Sequence, residues 1–195
     1  MLMTDNSLML AVRDGDVDRF GELFHRHHDR IFAFFYRMTA DPAASEDLAQ
    51  EVFVRMLKYR STFGADSDFR GWMYQIARNL RADHFRKRQA EALAAQQTRT
   101  EHQPSHSHQI EKREQLSVLQ RALLALPEDK RELLILARYE EIEYETIAAV
   151  LSIEVGTVRV RVHRALRELR NLFLKMSGED VKCDVKKPKT ILRNT

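Results

Sequence analysis

The sequence predicts an all-α chain: two small helical domains joined by a flexible linker, the C-terminal one a helix-turn-helix. Long segments with apolar residues at helical spacing dominate. Strand-like alternation is scarce. Glycine and proline, the usual punctuation of turn-rich β folds, number only 6 and 4 in 195 residues. A chain of this length accommodates one medium or two small domains.

Residues 1–7 lack apolar periodicity and read as a frayed end. From Leu8 to Met38 the pattern is helical, broken near Asp14-Gly15-Asp16, with Phe20, Leu23, Phe24, Ile31, Phe34, Phe35 and Met38 on one face. His25 and His28 have the spacing to share a metal. No second ligand pair accompanies them, so solvated histidines are expected. Asp41-Pro42 ends this helix. Ser45 is placed to cap the next one, which runs to about Arg60, and Glu46 and Asp47 suit its first turn. Leu48, Val52, Phe53 and Met56 point inward.

Ser61–Asp68 is polar, contains Gly64 and reads as a loop. Phe69–Arg88 is then a long helix with Trp72, Ile76, Leu80 and Phe85 as its buried stripe. Arg86, Lys87 and Arg88 suit the negative end of the helix dipole, which does not account for Arg78, Asn79 and Arg81. Residues 89–109 shift to Gln, Ala, Thr and His and form the expected linker. Its His102, His106 and His108 lack cysteine or acidic company for a metal site. Ile110–Leu126 resumes an amphipathic pattern through Leu116, Leu119 and Leu123.

Residues 128–175 carry the helix-turn-helix. Tyr144–Leu151 places Ile147, Ala148 and Leu151 at helical spacing, and Ser152–Val155 interrupts it. From Gly156 the second helix sets Val158, Val162, Ala165, Leu166, Leu169 and Phe173 on one stripe. Arg159, Val160, His163, Arg164, Arg167 and Arg170 fall largely opposite. From Glu154 to Lys175 six cations face two acids, whereas from Glu128 to Glu145 seven acids face three cations. A merely solvated surface would mix signs. This segregation leaves a positive edge for phosphates on a helix shaped for a major groove. Residues 176–195 read as a loose basic tail.

Composition excludes several classes. Cys183 is the single cysteine, so no intramolecular disulfide is expected, consistent with a cytoplasmic protein. No signal peptide is apparent, and the longest aromatic-apolar run, Ile31–Tyr36, is too short to span a bilayer. No P-loop, nucleophile elbow or metal-ligand set is present. No catalysis, cofactor or metal is expected.

The residues also resemble a family. Asp47-Leu-Ala-Gln-Glu-Val-Phe53 and Phe69-Arg-Gly-Trp-Met-Tyr-Gln-Ile-Ala-Arg-Asn79 are similar to the most characteristic segments of bacterial sigma factors. Tyr144–Ala148, Gly156–Arg159 and Arg161–Ala165 resemble their C-terminal DNA-binding domain, and the extracytoplasmic-function (ECF) group fits best. Members of that family direct promoter-specific transcription initiation. The resemblance implies a region 2-like domain over 8–88, a linker over 89–109, a region 4-like domain over 110–175 and a tail over 176–195.

It further implies that Asp47, Gln50, Glu51 and Val54 dock on the β′ coiled coil of core RNA polymerase, whose β subunit is also a partner. Tyr59, Phe63, Arg78, Asn79, Arg81, Arg86 and Lys87 would recognise and help melt the −10 promoter element, aromatics stacking on unpaired bases. Trp72 is expected in the core. Thr157, Arg159, Val160, Arg161, His163, Arg164 and Arg167 would contact the −35 element. An anti-sigma protein is an expected partner. Two residues depart from the family pattern: Val160, where a small polar residue is common, and Ser152, where glycine is frequent. The alternative is a stand-alone helix-turn-helix regulator, which leaves the two N-terminal matches unexplained.

Overall fold

The computed structural model describes residues 3–97 and 116–178, the side chains of 87–89 and 91–97 excepted. Among these residues the chain forms eight α-helices and no strand. The linker histidines, Cys183, the side chain of Lys87 and the tail beyond Gly178 lie outside the described residues.

The first unit comprises α1 (Asp5–Arg13), α2 (Phe20–Thr39), α3 (Pro42–Lys58) and α4 (Phe69–Gln97). Helix α1 starts at Thr4, whose hydroxyl accepts from the Ser7 amide at 3.2 Å. Helix α2 stops at Ala40, which takes a left-handed backbone (φ 54°) and returns its N–H to Tyr36. The cap of α3 is Asp41 rather than Ser45: its carboxylate accepts from the Ala44 amide at 3.2 Å. Pro42 explains the shift, because its fixed φ and missing N–H suit the first helical position. Ser45 is buried one turn in and donates to the Asp41 carbonyl at 2.6 Å.

Phe34, Phe35, Met56, Met73 and Tyr74 fill the space between α2, α3 and α4. Asn6 pins the start of α4 to α1, accepting from the Phe69 amide at 2.9 Å and donating to the Ser67 carbonyl at 3.0 Å. Helix α4 continues past Arg88 to Gln97, into the stretch expected as linker. Phe85, expected in its buried stripe, is 57% exposed.

The second unit comprises α5 (Val118–Ala125), α6 (Glu128–Leu134), α7 (Tyr144–Leu151) and α8 (Val155–Ser177). Ser117 caps α5, and Leu119, expected inward, is exposed. After α6 the chain widens into a single π turn, Ile135–Tyr139, and then reverses through Glu141 (φ 51°). The π turn re-aims the chain so that Glu140 points inward, where it is 3% exposed. Ala122, Leu123, Ile135, Ile147, Val158, Val162 and Ala165 make this unit's core.

The two units meet along a polar seam. Helix α7 rests on α4, and the contact requires Gly71: a Cβ there would lie 2.9 Å from Thr146 Cγ2. Arg131 reaches across. Its guanidinium donates to the carbonyls of Leu123, Leu124 and Leu126 in its own unit, at 3.1, 2.6 and 3.0 Å. It also donates to Met38 at the end of α2, at 2.6 Å. Gln120 adds longer bonds to the Tyr36 and Arg37 carbonyls.

Candidate nucleic-acid and polymerase interfaces

Helices α7 and α8 are joined by the turn that the sequence indicates. Ser152 adopts φ 54°, ψ 47°, a left-handed conformation that costs a β-carbon-bearing residue some strain. The Ser152 and Ile153 amides close α7 on Ala149 and Ala148. The turn sets the registry of α8, so that Val158, Val162, Ala165 and Leu169 are buried. Arg159, Val160, Arg161, His163, Arg164 and Arg167 are exposed, and Thr157 is half-buried at the helix start. Glu168, the acid on this helix, is held by Lys130 at 2.6 Å. The predicted groove-facing side is therefore assembled as one cationic surface with an apolar spot, Val160, in it.

Helix α4 presents a different picture. Asn79 is exposed, with Gln75 donating to it at 3.2 Å. Arg86 is exposed beside Asp83, at 2.5 Å. Arg78 and Arg81, expected to face nucleic acid, face carboxylates of the second unit. Arg81, only 12% exposed in its side chain, lies against Glu128 and 3.3 Å from Glu132. Arg78 lies 3.6 Å from Glu132. Burial lowers the pKa of Arg81, against the pull of Glu132, and a guanidinium stays charged regardless. An open cleft of about 360 Å³ beside these groups brings Arg78 near Arg161 and Arg164 of α8.

The aromatics of the α3–α4 loop are the reverse of the expectation. Phe63 is 1% exposed and packs edge-on against Phe69 and Trp72. It cannot stack on a base in this arrangement. The cause is α1, whose Arg13 donates to the Phe63 carbonyl at 3.1 Å and draws the loop inward. Trp72, expected in the core, is half-buried, its indole N–H 3.4 Å from the Thr62 hydroxyl. Tyr59 is exposed.

On α3, Asp47 and Gln50 are exposed, and Val54 is 58% exposed. Gln50 donates to Glu46 at 2.9 Å. Glu51 is half-buried and accepts from Arg55 at 3.0 Å, and Arg55 also reaches Asp83 of α4 at 3.1 Å. This leaves an acidic-polar face with one bare valine. Among the described residues no group of three or more His, Cys, Asp or Glu converges as a metal site.

Several residues now prominent were not anticipated: Tyr74, Glu132, Glu140, Arg131, Arg37 and Arg70. Tyr74 donates to Glu140 at 2.7 Å in a buried position. Burial, then the Glu140 charge, push the tyrosine pKa up, and burial likewise raises Glu140. Arg37 approaches Glu140 at 3.5 Å and lies over the Tyr139 ring at 4.5 Å. Arg70 donates to the Glu140 carbonyl. One sequence signal existed: Glu132 directly precedes the apolar run Leu133–Leu136, an odd place for a solvated acid.

The same segments match known families. Residues 23–91 match Sigma-70 region 2, and residues 116–169 match Sigma-70, region 4. SigE of Mycolicibacterium smegmatis, an ECF RNA polymerase sigma factor, is 35% identical over 162 residues. The match covers 81% of this chain and 63% of that protein, so the chain spans less than two thirds of that relative's length. SigW of Bacillus subtilis, also an ECF RNA polymerase sigma factor, is 31% identical over 170 residues, 82% of this chain and 91% of that one. The fold is shared with the sigma factor RpoE of Bartonella quintana, solved with the anti-sigma factor NepR. There the TM-score is 0.63 at 24% identity, over 83% of this chain and 98% of that one. The chain belongs to the ECF group of the sigma-70 family of RNA polymerase sigma factors.

Proposed function

We propose that this sigma factor docks on core RNA polymerase through α3, recognises and helps melt the −10 element with the α3–α4 loop and α4, and seats α8 in the major groove of the −35 element. The observation that carries the reading is the α8 surface. Six exposed side chains from Arg159 to Arg167, five of them Arg or His, flank a buried apolar stripe on a helix entered through a tight turn. Arginine forks there suit guanine edges and phosphates. Val160 suits a thymine methyl. Thr157 suits a phosphate near the helix start.

Asp47 and Gln50, with Val54 beside them, fit a basic partner helix such as the β′ coiled coil, polar complementarity surrounding a small apolar contact. On the −10 side Tyr59, with the uncovered edge of Trp72, replaces Phe63 as the stacking aromatic, and Asn79, Arg78, Arg81, Arg86 and Lys87 supply polar and phosphate contacts. The factor itself catalyses nothing. Polymerase supplies the chemistry in the cytoplasm, and binding of the separated strand offsets unpairing. An anti-sigma protein is a partner in this reading, as one is for the Bartonella factor.

The test is transcription from a promoter library by core polymerase, with and without the chain. Gln50→Ala with Glu51→Ala should abolish initiation through loss of core binding. Arg161→Ala with Arg164→Ala should reduce upstream selectivity by roughly 1–3 kcal/mol per lost base contact. Tight operator binding by the isolated chain, unaffected by polymerase, would instead establish a stand-alone regulator.

A further inference from the structure

The two arginine surfaces of this chain are not equally available, and the difference has a structural cause. The carboxylates that cover α4 come from the acidic half of the second unit. Glu128 and Glu132 sit one turn apart on α6 and meet Arg81 and Arg78. Glu140 is placed by the π turn against Tyr74, Arg37 and Arg70. A carboxylate offers a guanidinium the same kind of charged acceptor as a phosphate does.

We propose that the acidic rim of α6 is a docking surface for the arginines of α4, so that in the free chain Glu128 and Glu132 take the place of nucleic-acid phosphates on Arg78 and Arg81. Promoter DNA and the second unit then compete for one set of cations. The proposal rests on the reading of α4 as the −10 surface.

Three observations support it. The seam is charged and covered: Glu132 is 4% and Glu140 3% exposed, although neither lies in a purely acidic patch that would repel itself. The seam is also incompletely satisfied. Arg70 Nε, Arg81 Nε and Glu132 Oε1 are buried without hydrogen-bond partners among the described residues. The charges of Arg81 and Glu132 are paired, but these polar atoms are buried without partners and carry a desolvation penalty, which suits a contact that opens rather than a permanent core. Finally, the close fit depends on Gly71 lacking a side chain. Its missing Cβ leaves room for Thr146, and the chemistry of the arginines gains nothing from that glycine.

Opening should therefore raise nucleic-acid affinity without any new contact, because apparent affinity scales with the population of the competent form. The experiment uses the full chain carrying Cys183→Ser, with spin labels on Ala43→Cys and Asn171→Cys, both exposed. Pulsed dipolar spectroscopy reads the distance between units. Anisotropy reads binding of a fluorescein-labelled single-stranded DNA. Two opening variants are compared, Glu128→Gln with Glu132→Gln, and Gly71→Ala. The second leaves every charge in place, so it decides the matter if the first fails to fold.

The expected result is a narrow distance distribution in the reference chain. Both variants should broaden it and bind the probe about ten-fold tighter, as release of a nine-tenths closed population would give. Adding Thr146→Ala to Gly71→Ala should restore the narrow distribution and the weaker binding. A broad distribution in the reference chain would overturn the proposal, as would variants that open without a gain in affinity. Promoter-specific initiation by the reference chain with core polymerase tests the reading of α4 and α8 separately, and its outcome does not depend on these.

Discussion

Helices α4 and α8 both carry arginines, yet Arg78 and Arg81 of α4 meet carboxylates across the seam while those of α8 are exposed. On α8 the arginines project from a helix whose opposite side is filled by its own unit, and among the described residues none of them forms an ion pair, although Asp129 and Glu132 line the same cleft as Arg161 and Arg164. On α4 the same kind of residue finds Glu128 and Glu132 across the seam. The sign pattern along the chain explains the asymmetry: acids concentrate in residues 128–145, and cations follow from 159 onward. Glu128 and Glu132 of the acidic block turn toward α4, with Glu132 also lining the cleft of Arg161 and Arg164, while the arginines of α8 stay exposed. A cationic helix therefore cannot be judged accessible from its own sequence; the block of opposite charge and the side it faces decide.

The largest way to break this contrast is Arg131→Ala. Four carbonyls from two units lose a charged donor, which should cost roughly 3 kcal/mol in urea unfolding of the full chain. A loss below about 1 kcal/mol would mean the clasp is incidental. Arg131→Lys should recover only part, since one ammonium cannot reproduce the planar fork.

A smaller effect, confined to the seam, is expected from Tyr74→Phe. Removing the donor to buried Glu140 should cost about 1–2 kcal/mol. It should appear as a broader inter-unit distance with helix content unchanged. The same carboxylate gives the seam a pH slope. Glu140 titrates above its ordinary 4.5, chiefly through burial. Its favourable contribution is therefore complete below 4.5 and is lost as pH rises through the raised value. Glu140→Gln should remove that slope; an unchanged slope would assign it to other groups.

The smallest effect lies on the far side of α4 and serves as the control that leaves the seam alone. His27 is buried against Phe69 and bonded to Asp5 at 2.8 Å. Burial holds its pKa below 6.5, despite the opposing pull of Asp5. Its contribution is present above 6.5 and declines as pH falls from there toward the lowered value. Denaturant midpoints between neutrality and pH 5.5 should fall slightly in the reference chain and stay flatter in His27→Gln, with the inter-unit distance constant in both.

The helix-turn-helix was fully legible, because α8 is short-range in its logic. Its stripe of Val158, Val162, Ala165 and Leu169 repeats at helical spacing, and its cations fall opposite. The α3 cap was misassigned to Ser45 because two capping residues stand four apart, and Pro42 decides between them. Phe63 and Trp72 exchanged roles because their burial depends on α1 folding back over the loop, a contact fifty residues away in sequence. Glu132 and Glu140 were counted only as members of an acidic block, because their arginine partners lie 51 to 103 residues upstream. Helical periodicity reports which side of a helix is buried. It does not report which distant charge that side will meet.

The position of Arg131 has a mechanical consequence. When the units part, only its bond to Met38 is cut, while its three bonds to Leu123, Leu124 and Leu126 travel with the second unit. Of the carbonyls that Arg131 serves, only that of Met38 is left for water to fill, alongside those of Tyr36 and Arg37 that Gln120 releases and that of Glu140 that Arg70 releases. Each unit detaches as a finished part, like a component released at its fastener rather than torn at its edge.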